Sequence, residues 1–391
     1  MGEQLAIRSV QFTNLLSFPD STEPLPLGEL NVLIGPNGSG KSNLIEAIGL
    51  LQGAPRDLGQ PVREGGGIRD WLWKGTSQTP TATLEVIVTY PMGPMPLRYR
   101  LSFTEVGQRM EVVDERIENE RPLPGLPKPY FYFGYENGRP MLNLAGGHRT
   151  LRREDIDPAH SVLSQRKDPD QYPEITYLGR FFESFRLYRE WNFGRSTPAR
   201  TPQPADLPND FLEENGRNLG LIINRLRTDA TAKRSLLKYL RALYDEADDL
   251  DIRIVGGTVQ VFLQERSFVI PATRLSDGTL RWTALLVILL HPTPPPVVCI
   301  EEPEIGLHPD MMPTLARLLR EASQRMQLIV TTHSDALVDE LSDTPEAVIV
   351  CEKEAGGTRL RRLDRTELSV WLSKYTLGQL WRKGEIGGNR W

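Results

Sequence analysis

The sequence predicts an α/β fold built around a phosphate-binding loop, and three observations carry that reading. An apolar run ending in glycine (NVLIG) leads through a glycine-rich loop into a segment with helical apolar spacing (SNLIEAIGLLQG). A stretch from about residue 81 to 133 is β-rich and punctuated by proline and glycine. The last third alternates helical and strand patterns, as in a parallel sheet with covering helices.

The opening segment LAIRSVQF alternates like a strand, and Gly53 closes the helix that follows the loop. The β-rich stretch (TATLEVIVTY, LRYRLSFTEV, RMEVVDERIE, YFYFGY) reads as an antiparallel meander with YENGRP as its clearest hairpin. Residues 154–249 read as helical. ITYLGRFFESFRLYREW is one expected helix, a proline-rich loop follows, and FLEENGRNLGLIINRLRTDATAKRSLLKYLRALYDEADDL supplies two more. Two short β runs then flank a Gly256-Gly257 turn. The alternation TLRWTALLVILL, VVCIE, MMPTLARLLREAS, QLIVTTHS, AVIVCE, RLRRL completes the sheet before a tail that begins helical. The expected division is 1–165 for an N-terminal lobe, 166–250 for a helical insertion and 251–391 for a C-terminal lobe.

Composition bounds the function. A chain of 391 residues holds one large domain or two to three smaller ones. A net charge of −5 excludes a uniformly basic nucleic-acid coat but not a local basic patch. Cys299 and Cys351 both sit in apolar strand-like runs and read as core residues, which excludes a disulfide scaffold and fits a reducing compartment. No apolar run reaches membrane-spanning length, the start lacks a signal-peptide layout, and Ala6 breaks the myristoylation pattern. The expected location is the cytoplasm, with no membrane partner.

The motif GPNGSGKS (Gly35, Pro36, Asn37, Gly38, Ser39, Gly40, Lys41, Ser42), with Asn43 following, fits G-x-x-x-x-G-K-[ST] at every fixed position. Glycines let backbone N–H groups wrap phosphates, Lys41 reaches the β- and γ-phosphates, and Ser42 offers a hydroxyl to Mg²⁺. The strand before it and the helix after it are the context this chemistry needs. The implied cofactors are ATP and Mg²⁺.

VVCIEEPEIGLHP places Glu301 and Glu302 at the end of a buried strand, where α/β sheets hold ligands. Neighbouring strand side chains point to opposite faces, so the two carboxylates are expected to divide the work. Glu301 would serve magnesium, and Glu302 would serve the attacking water as general base. His333 ends the apolar run QLIVTTHSD, 31 residues after Glu302, where an imidazole can bond a γ-phosphate oxygen. His308 either acts at a subunit contact or shapes its turn. In RLSDGTLR, Ser276 or Asp277 reads as a helix N-cap, with Gly278 and Thr279 finishing the turn.

The order of the phosphate loop, LSDGT, IEEPE and TTHS resembles ABC-type ATPases. It looks closest to the RecF/SMC-like branch of AAA-type ATPases that includes the ATPase half of overcoming-lysogenization-defect proteins. The resemblance implies an ABC-type P-loop head with an antiparallel β subdomain and a helical insertion. It implies an ATPase that dimerises around two ATP molecules, with Ser276, Asp277 and Gly278 as a signature acting on the opposite subunit's nucleotide. Glu302 matches the catalytic glutamate, His333 the switch histidine, and Glu301 the magnesium carboxylate, where many members have Asp. Gln165 stands near the expected Q-loop position as a further metal ligand; a surface loop glutamine is the alternative. About 110 residues separate Gln165 from Ser276, too few for a long coiled coil, and 58 residues follow His333, so no fused nuclease domain is expected.

The implied settings are DNA repair, DNA maintenance or phage defence. The partners would be a second copy of the chain, DNA, or a separate effector such as a nuclease. A regulatory switch and a transporter ATPase subunit are the alternatives. Residues 179–241 hold 12 Lys/Arg against 7 Asp/Glu, and Arg180, Arg186, Arg189 and Arg195 interleave with Phe185, Tyr188, Trp191 and Phe193. That pattern suits nucleic acid, or a solvated helix with an aromatic core face.

Overall fold

The computed structural model describes residues 5–20, 22–144, 147–151, 155–354 and 356–388. The extreme N-terminus, Met1 and Gly2 included, lies outside the described residues. The chain forms two compact units, one of Met1–Phe185, Glu346–Glu367 and Gly384–Trp391, the other of Arg186–Pro345 and Leu368–Lys383.

The first unit opens with β1 (Ile7–Thr13), β2 (Leu25–Pro26) and β3 (Leu30–Ile34), then α1 (Lys41–Gly53), α2 (Gly59–Glu64) and α3 (Ile68–Trp71). The meander follows as β4 (Ala82–Val88), β5 (Leu97–Val106), β6 (Arg109–Asn119), β7 (Phe131–Glu136), β8 (Arg139–Leu144) and β9 (Gly147–Thr150). Among the described residues these strands build a sheet in the order β2-β1-β4-β5-β6-β7-β8-β9, antiparallel throughout. Alternation sets its inner face, as in β4, where Ala82, Leu84, Val86 and Val88 are buried. The YENGRP hairpin forms with Asn137 and Gly138 at φ 52° and 73°, the paired left-handed turn that matches strand twist. Then come α4 (Val162–Gln165) and α5 (Pro173–Glu183).

The second unit begins with a departure from the pattern. ITYLGRFFESFRLYREW is not one helix. Helix α5 ends at Glu183, and Arg186–Tyr188 is a strand, β10. The Ser184 hydroxyl bonds the Phe181 carbonyl and ends the helix, and β10 then pairs in parallel with the strand that carries Glu301. Sheet pairing, a non-local gain, overrides helical spacing here. The unit continues through β11 (Gln203–Pro204), α6 (Leu219–Thr228), α7 (Ala230–Leu243), β12 (Ala247–Val255), β13 (Thr258–Glu265) and β14 (Phe268–Pro271). Strands β11–β14 form a small antiparallel sheet, with Gly256 and Gly257 both at positive φ in the β12–β13 turn.

Helix α8 (Asp277–Leu289) precedes β15 (Val297–Glu301), α9 (Met312–Ser323), β16 (Gln327–Thr331) and α10 (Asp335–Asp339). Residues Leu280–Leu289 of α8 are all buried, so this helix is core on every side. Strands β10, β15 and β16 run parallel side by side. Val297–Ile300 and Gln327–Thr331 are buried without alternation, the mark of strands covered on both faces.

The chain returns to the first unit as β17 (Val348–Glu354) and β18 (Gly357–Arg362); α11 (Arg365–Leu372) then leads back to the second unit, which holds α12 (Leu377–Lys383). Strand β17 pairs in parallel with β3, whereas β18 is antiparallel to β17. Cys299 on β15 and Cys351 on β17 are buried free thiols. Burial pushes the Cys351 thiol up to about 12. Among the described residues, no helix is long and apolar enough to cross a membrane.

Candidate functional site: a phosphate loop and a carboxylate–histidine edge

In the first unit the phosphate loop joins the buried end of β3 to α1. Gly35, Gly38 and Gly40 take φ of 150°, 75° and 100°. A Cβ on Gly35 would stand 2.3 Å from the Cys351 carbonyl oxygen, and one on Gly40 2.3 Å from Thr358 Oγ1. Only glycine permits both the backbone and the contact. Lys41 is 6% exposed, and its Nζ donates to the carbonyls of Gly35 (2.8 Å) and Pro36 (3.1 Å), folding the lysine back over the loop. No side chain caps α1, whose cap position is Gly40. Ser39 is fully buried, and its Oγ has no hydrogen-bond partner. A buried orphan hydroxyl, a charged lysine and an uncapped helix start fit a phosphate group.

Neighbouring chain staples this loop. Thr358 Oγ1 donates to the Ser39 carbonyl (2.9 Å) and shares a hydroxyl–hydroxyl hydrogen bond with Ser17 Oγ (2.7 Å), and Asn43 Nδ2 donates to Ser17 Oγ (2.6 Å). Ser17 and Thr358 lie outside any motif, so no sequence signal marks them.

Gln165 ends the short helix α4, whose N-cap Ser161 accepts from Leu163 N. Its Nε2 donates to the carbonyls of Asp157 and His160, and its Oε1 accepts from Asp157 N. The amide is thus engaged in its own turn.

In the second unit β15 ends at Glu301, and Glu302 leaves the strand with a left-handed φ of 46°. The two carboxylates do diverge in setting, but through this turn and not through strand alternation. A non-glycine residue held there costs on the order of 1–2 kcal/mol, and a residue before proline normally favours extended backbone. The cost is held by neighbours: Glu302 N donates to Thr331 O (3.0 Å) and Thr331 Oγ1 (3.3 Å). Glu302 Oε1 then lies 3.5 Å from His333 Nε2, just past the end of β16. Glu301 meets Arg189 Nε at 3.2 Å, and its carbonyl accepts from Trp191 Nε1 at 2.7 Å.

Glu304 joins this edge although no role was read for it. Its Oε1 accepts from Thr332 Oγ1 (2.7 Å) and from His333 N (2.9 Å). Burial raises its pKa. Arg281, whose Nη atoms donate to the carbonyls of Ile305 and Trp191, faces Glu304, Glu302 and Asp277; burial lowers its pKa and those acids oppose the shift. Glu304 was visible in IEEPE and Thr332 in TTHS, but their contact is not.

At the signature-like turn the N-cap is Ser276, whose Oγ accepts from Thr279 N at 3.0 Å. Asp277 opens the helix and pairs with buried Arg200, which also donates to the carbonyls of Phe193, Ala272 and Leu275. A Cβ on Gly278 would stand 2.7 Å from the Gly306 carbonyl, so this glycine lets the turn seat against the loop after Glu302. Ser276 and Asp277 are exposed beside a cavity of about 450 Å³ lined by Tyr244, Arg274, Gly306 and His308 among others. His308 caps the short turn Pro309–Met311.

The basic and aromatic stretch divides differently from a nucleic-acid face. Phe185, Tyr188 and Phe193 are buried, Arg186 stacks over Phe211, and Arg189 pairs with Glu301. Arg180 and Arg195 remain exposed. Among the described residues no cluster of three or more His, Cys, Asp or Glu could hold a metal by itself.

Residues 30–339 match the family described as "AAA domain, putative AbiEii toxin, Type IV TA system". The chain belongs to that family. A comparison with curated proteins gives no match. Solved structures show what the AAA-domain chain resembles in fold. An Smc head bound to the C-winged helix domain of ScpA aligns at TM-score 0.59 and 16% identity, over 93% of this chain and 99% of the other. An Smc head with an extended coiled coil, bound to the C-terminal domain of ScpA and derived from Pyrococcus furiosus, aligns at 0.58 and 14%, over 94% and 99%. An Smc head with a coiled coil and joint from Pyrococcus yayanosii aligns at 0.53 and 11%, over 94% and 99%. The α/β head fold expected from the sequence is therefore the fold observed.

Proposed function

We propose that this AAA-domain chain binds ATP and hydrolyses it as an ABC-type head of the RecF/SMC-like branch, related to the ATPase half of overcoming-lysogenization-defect proteins. Residues 1–165 and 251–391 would be the two lobes of the head, with 166–250 an insertion. Backbone N–H groups of residues 35–40 wrap the phosphates, and Lys41 turns from its loop carbonyls to the β- and γ-phosphates. Magnesium would be held by Ser42 and Glu301, with Gln165 as the further ligand; when bound it neutralises charge on the phosphates. Glu301 must then exchange Arg189 for the metal. Glu302 orients the attacking water and takes its proton, and His333 holds a γ-phosphate oxygen.

The observation that carries hydrolysis, and not binding alone, is the strained Glu302 held 3.5 Å from His333. Strain kept on a glutamate, where glycine would relax it, is a mark of a working side chain.

Exposed Ser276 and Asp277, with half-buried Gly278, would complete the site of a second copy, giving an ATP-dependent homodimer. The setting would be DNA repair, DNA maintenance or phage defence; the family description, which names a putative AbiEii toxin and a type IV TA system, lends support to the last by analogy alone. DNA or a separate effector such as a nuclease would be the partner; a regulatory switch acting on such an effector uses the same machinery.

The test is ATP affinity and turnover with and without Lys41. Lys41→Ala should weaken ATP by on the order of 10²-fold, the scale of losing a buried charge partner, measured by calorimetry. Unchanged affinity would remove the phosphate-loop reading.

A further inference from the structure

We propose that Glu304 is a positioning residue whose carboxylate fixes the turn that presents His333 to Glu302. The proposal rests on the reading of those two residues as the hydrolytic pair. Its basis is how the loops after β15 and β16 are tied. One tie runs from Glu302 N–H to the carbonyl and hydroxyl of Thr331. The other runs in the opposite sense, from Thr332 Oγ1–H and His333 N–H to Glu304 Oε1. Beyond Thr331 the strand pairing has ended, so these crossed ties are what hold the Glu302–His333 pair in register.

The second oxygen deepens the case. Glu304 Oε2 is buried and has no hydrogen-bond partner. A buried carboxylate with one oxygen unpaired is costly, and a neutral acceptor would satisfy both donors at lower cost. The arrangement is offset by Arg281, whose charge acts on Glu304, Glu302 and Asp277 together. Glu304 touches no phosphate in this scheme; it acts through His333. Its own turn is closed by Leu307 N–H to the Glu304 carbonyl, which sets the side chain from a fixed base.

The experiment reads His333 directly. The chain has five histidines, and the His333 ring resonance is assigned by its loss in His333→Ala. Glu304→Ala should move and broaden that resonance and cut kcat by on the order of 10²-fold, with ATP affinity within about twofold of the parent. Glu304→Gln keeps an acceptor oxygen and should return both readouts to within a few-fold of the parent. Thr332→Val, which removes one donor and keeps the carboxylate, should give a smaller change in the same direction and covers the case of a poorly folding alanine variant. In a His333→Ala background, Glu304→Ala should add less than about twofold, because the two act through one group. A parental His333 resonance in Glu304→Ala, glutamine as damaging as alanine, or full multiplication on His333→Ala would overturn the proposal. If the parent turns over no ATP, the ATPase reading fails, yet the resonance in the alanine and glutamine variants still decides the clamp.

Discussion

The phosphate loop of the first unit and the carboxylate–histidine edge of the second place backbone strain in opposite ways. In the loop the left-handed positions are Gly35, Gly38 and Gly40, and the proposed function uses N–H groups and one lysine. At the edge the left-handed residue is Glu302, and the proposed function uses its side chain. Where the backbone is the tool, glycine removes the cost. Where a carboxylate is the tool, the cost is kept and neighbours hold it. The loop is accordingly stapled by Ser17 and Thr358 acting on backbone and hydroxyls, while the edge is tied by the Glu304 carboxylate accepting from the Thr332 hydroxyl and the His333 N–H, with the Arg281 charge beside it.

The strongest way to break this contrast is to put a side chain into the loop. Gly35→Ala drives a Cβ into the Cys351 carbonyl and forces a left-handed alanine. It should cost about 3 kcal/mol in urea unfolding, from overpacking plus strain. A cost below about 1 kcal/mol would mean that the loop backbone is not held as described.

A buried carboxylate of the first unit sharpens the contrast with Glu304. Glu115 accepts from Tyr99 OH, Ser161 Oγ and Val162 N, using both oxygens. Burial still raises its pKa from 4.5 to about 6. A raised carboxyl binds its proton more tightly when folded. Its contribution is therefore full below the unfolded value and is lost as pH rises through about 6. The change amounts to about 2 kcal/mol, and urea titrations from acid to neutral pH should show it in the parent but not in Glu115→Gln. An equal pH dependence in both would place the proton elsewhere.

The smallest effect has the opposite sign. Glu302→Gly should stabilise the fold by about 1 kcal/mol, the left-handed strain relieved less the entropy glycine adds to the unfolded chain, while abolishing turnover. Denaturant midpoints check this, and a destabilised glycine variant would show that Glu302 contributes packing beyond its strain.

The two regions also differ in how far the sequence revealed them. The loop was legible to the residue, because GPNGSGKS encodes its geometry through spacing and local backbone. The meander was legible for the same reason, its hairpin at Asn137-Gly138 being a local turn, as is the Gly256-Gly257 turn between β12 and β13 in the second unit. The edge was legible only in part. Glu301, Glu302 and His333 stood out as polar residues after buried runs, but the left-handed turn and the Glu304 tie arise between segments about thirty residues apart. The strand Arg186–Tyr188 was hidden for a related reason: its apolar residues fit a helix, and only pairing with β15 decides otherwise. The arginines and aromatics around it, open to a nucleic-acid reading in sequence, pack largely within the second unit. Ser276 was legible as a helix cap; the proposed contact with a second copy's nucleotide is a matter of assembly, which no local pattern encodes.

The central claim is that Glu302 performs hydrolysis and is not needed for ATP binding, which rests on the loop. The most direct measurement is ATP turnover and mass in solution for Glu302→Gln with ATP and magnesium. The predicted result is parental ATP affinity, a loss of turnover on the order of 10³-fold, and a stable ATP-bound species of twice the chain mass. Turnover at the parental rate would contradict it.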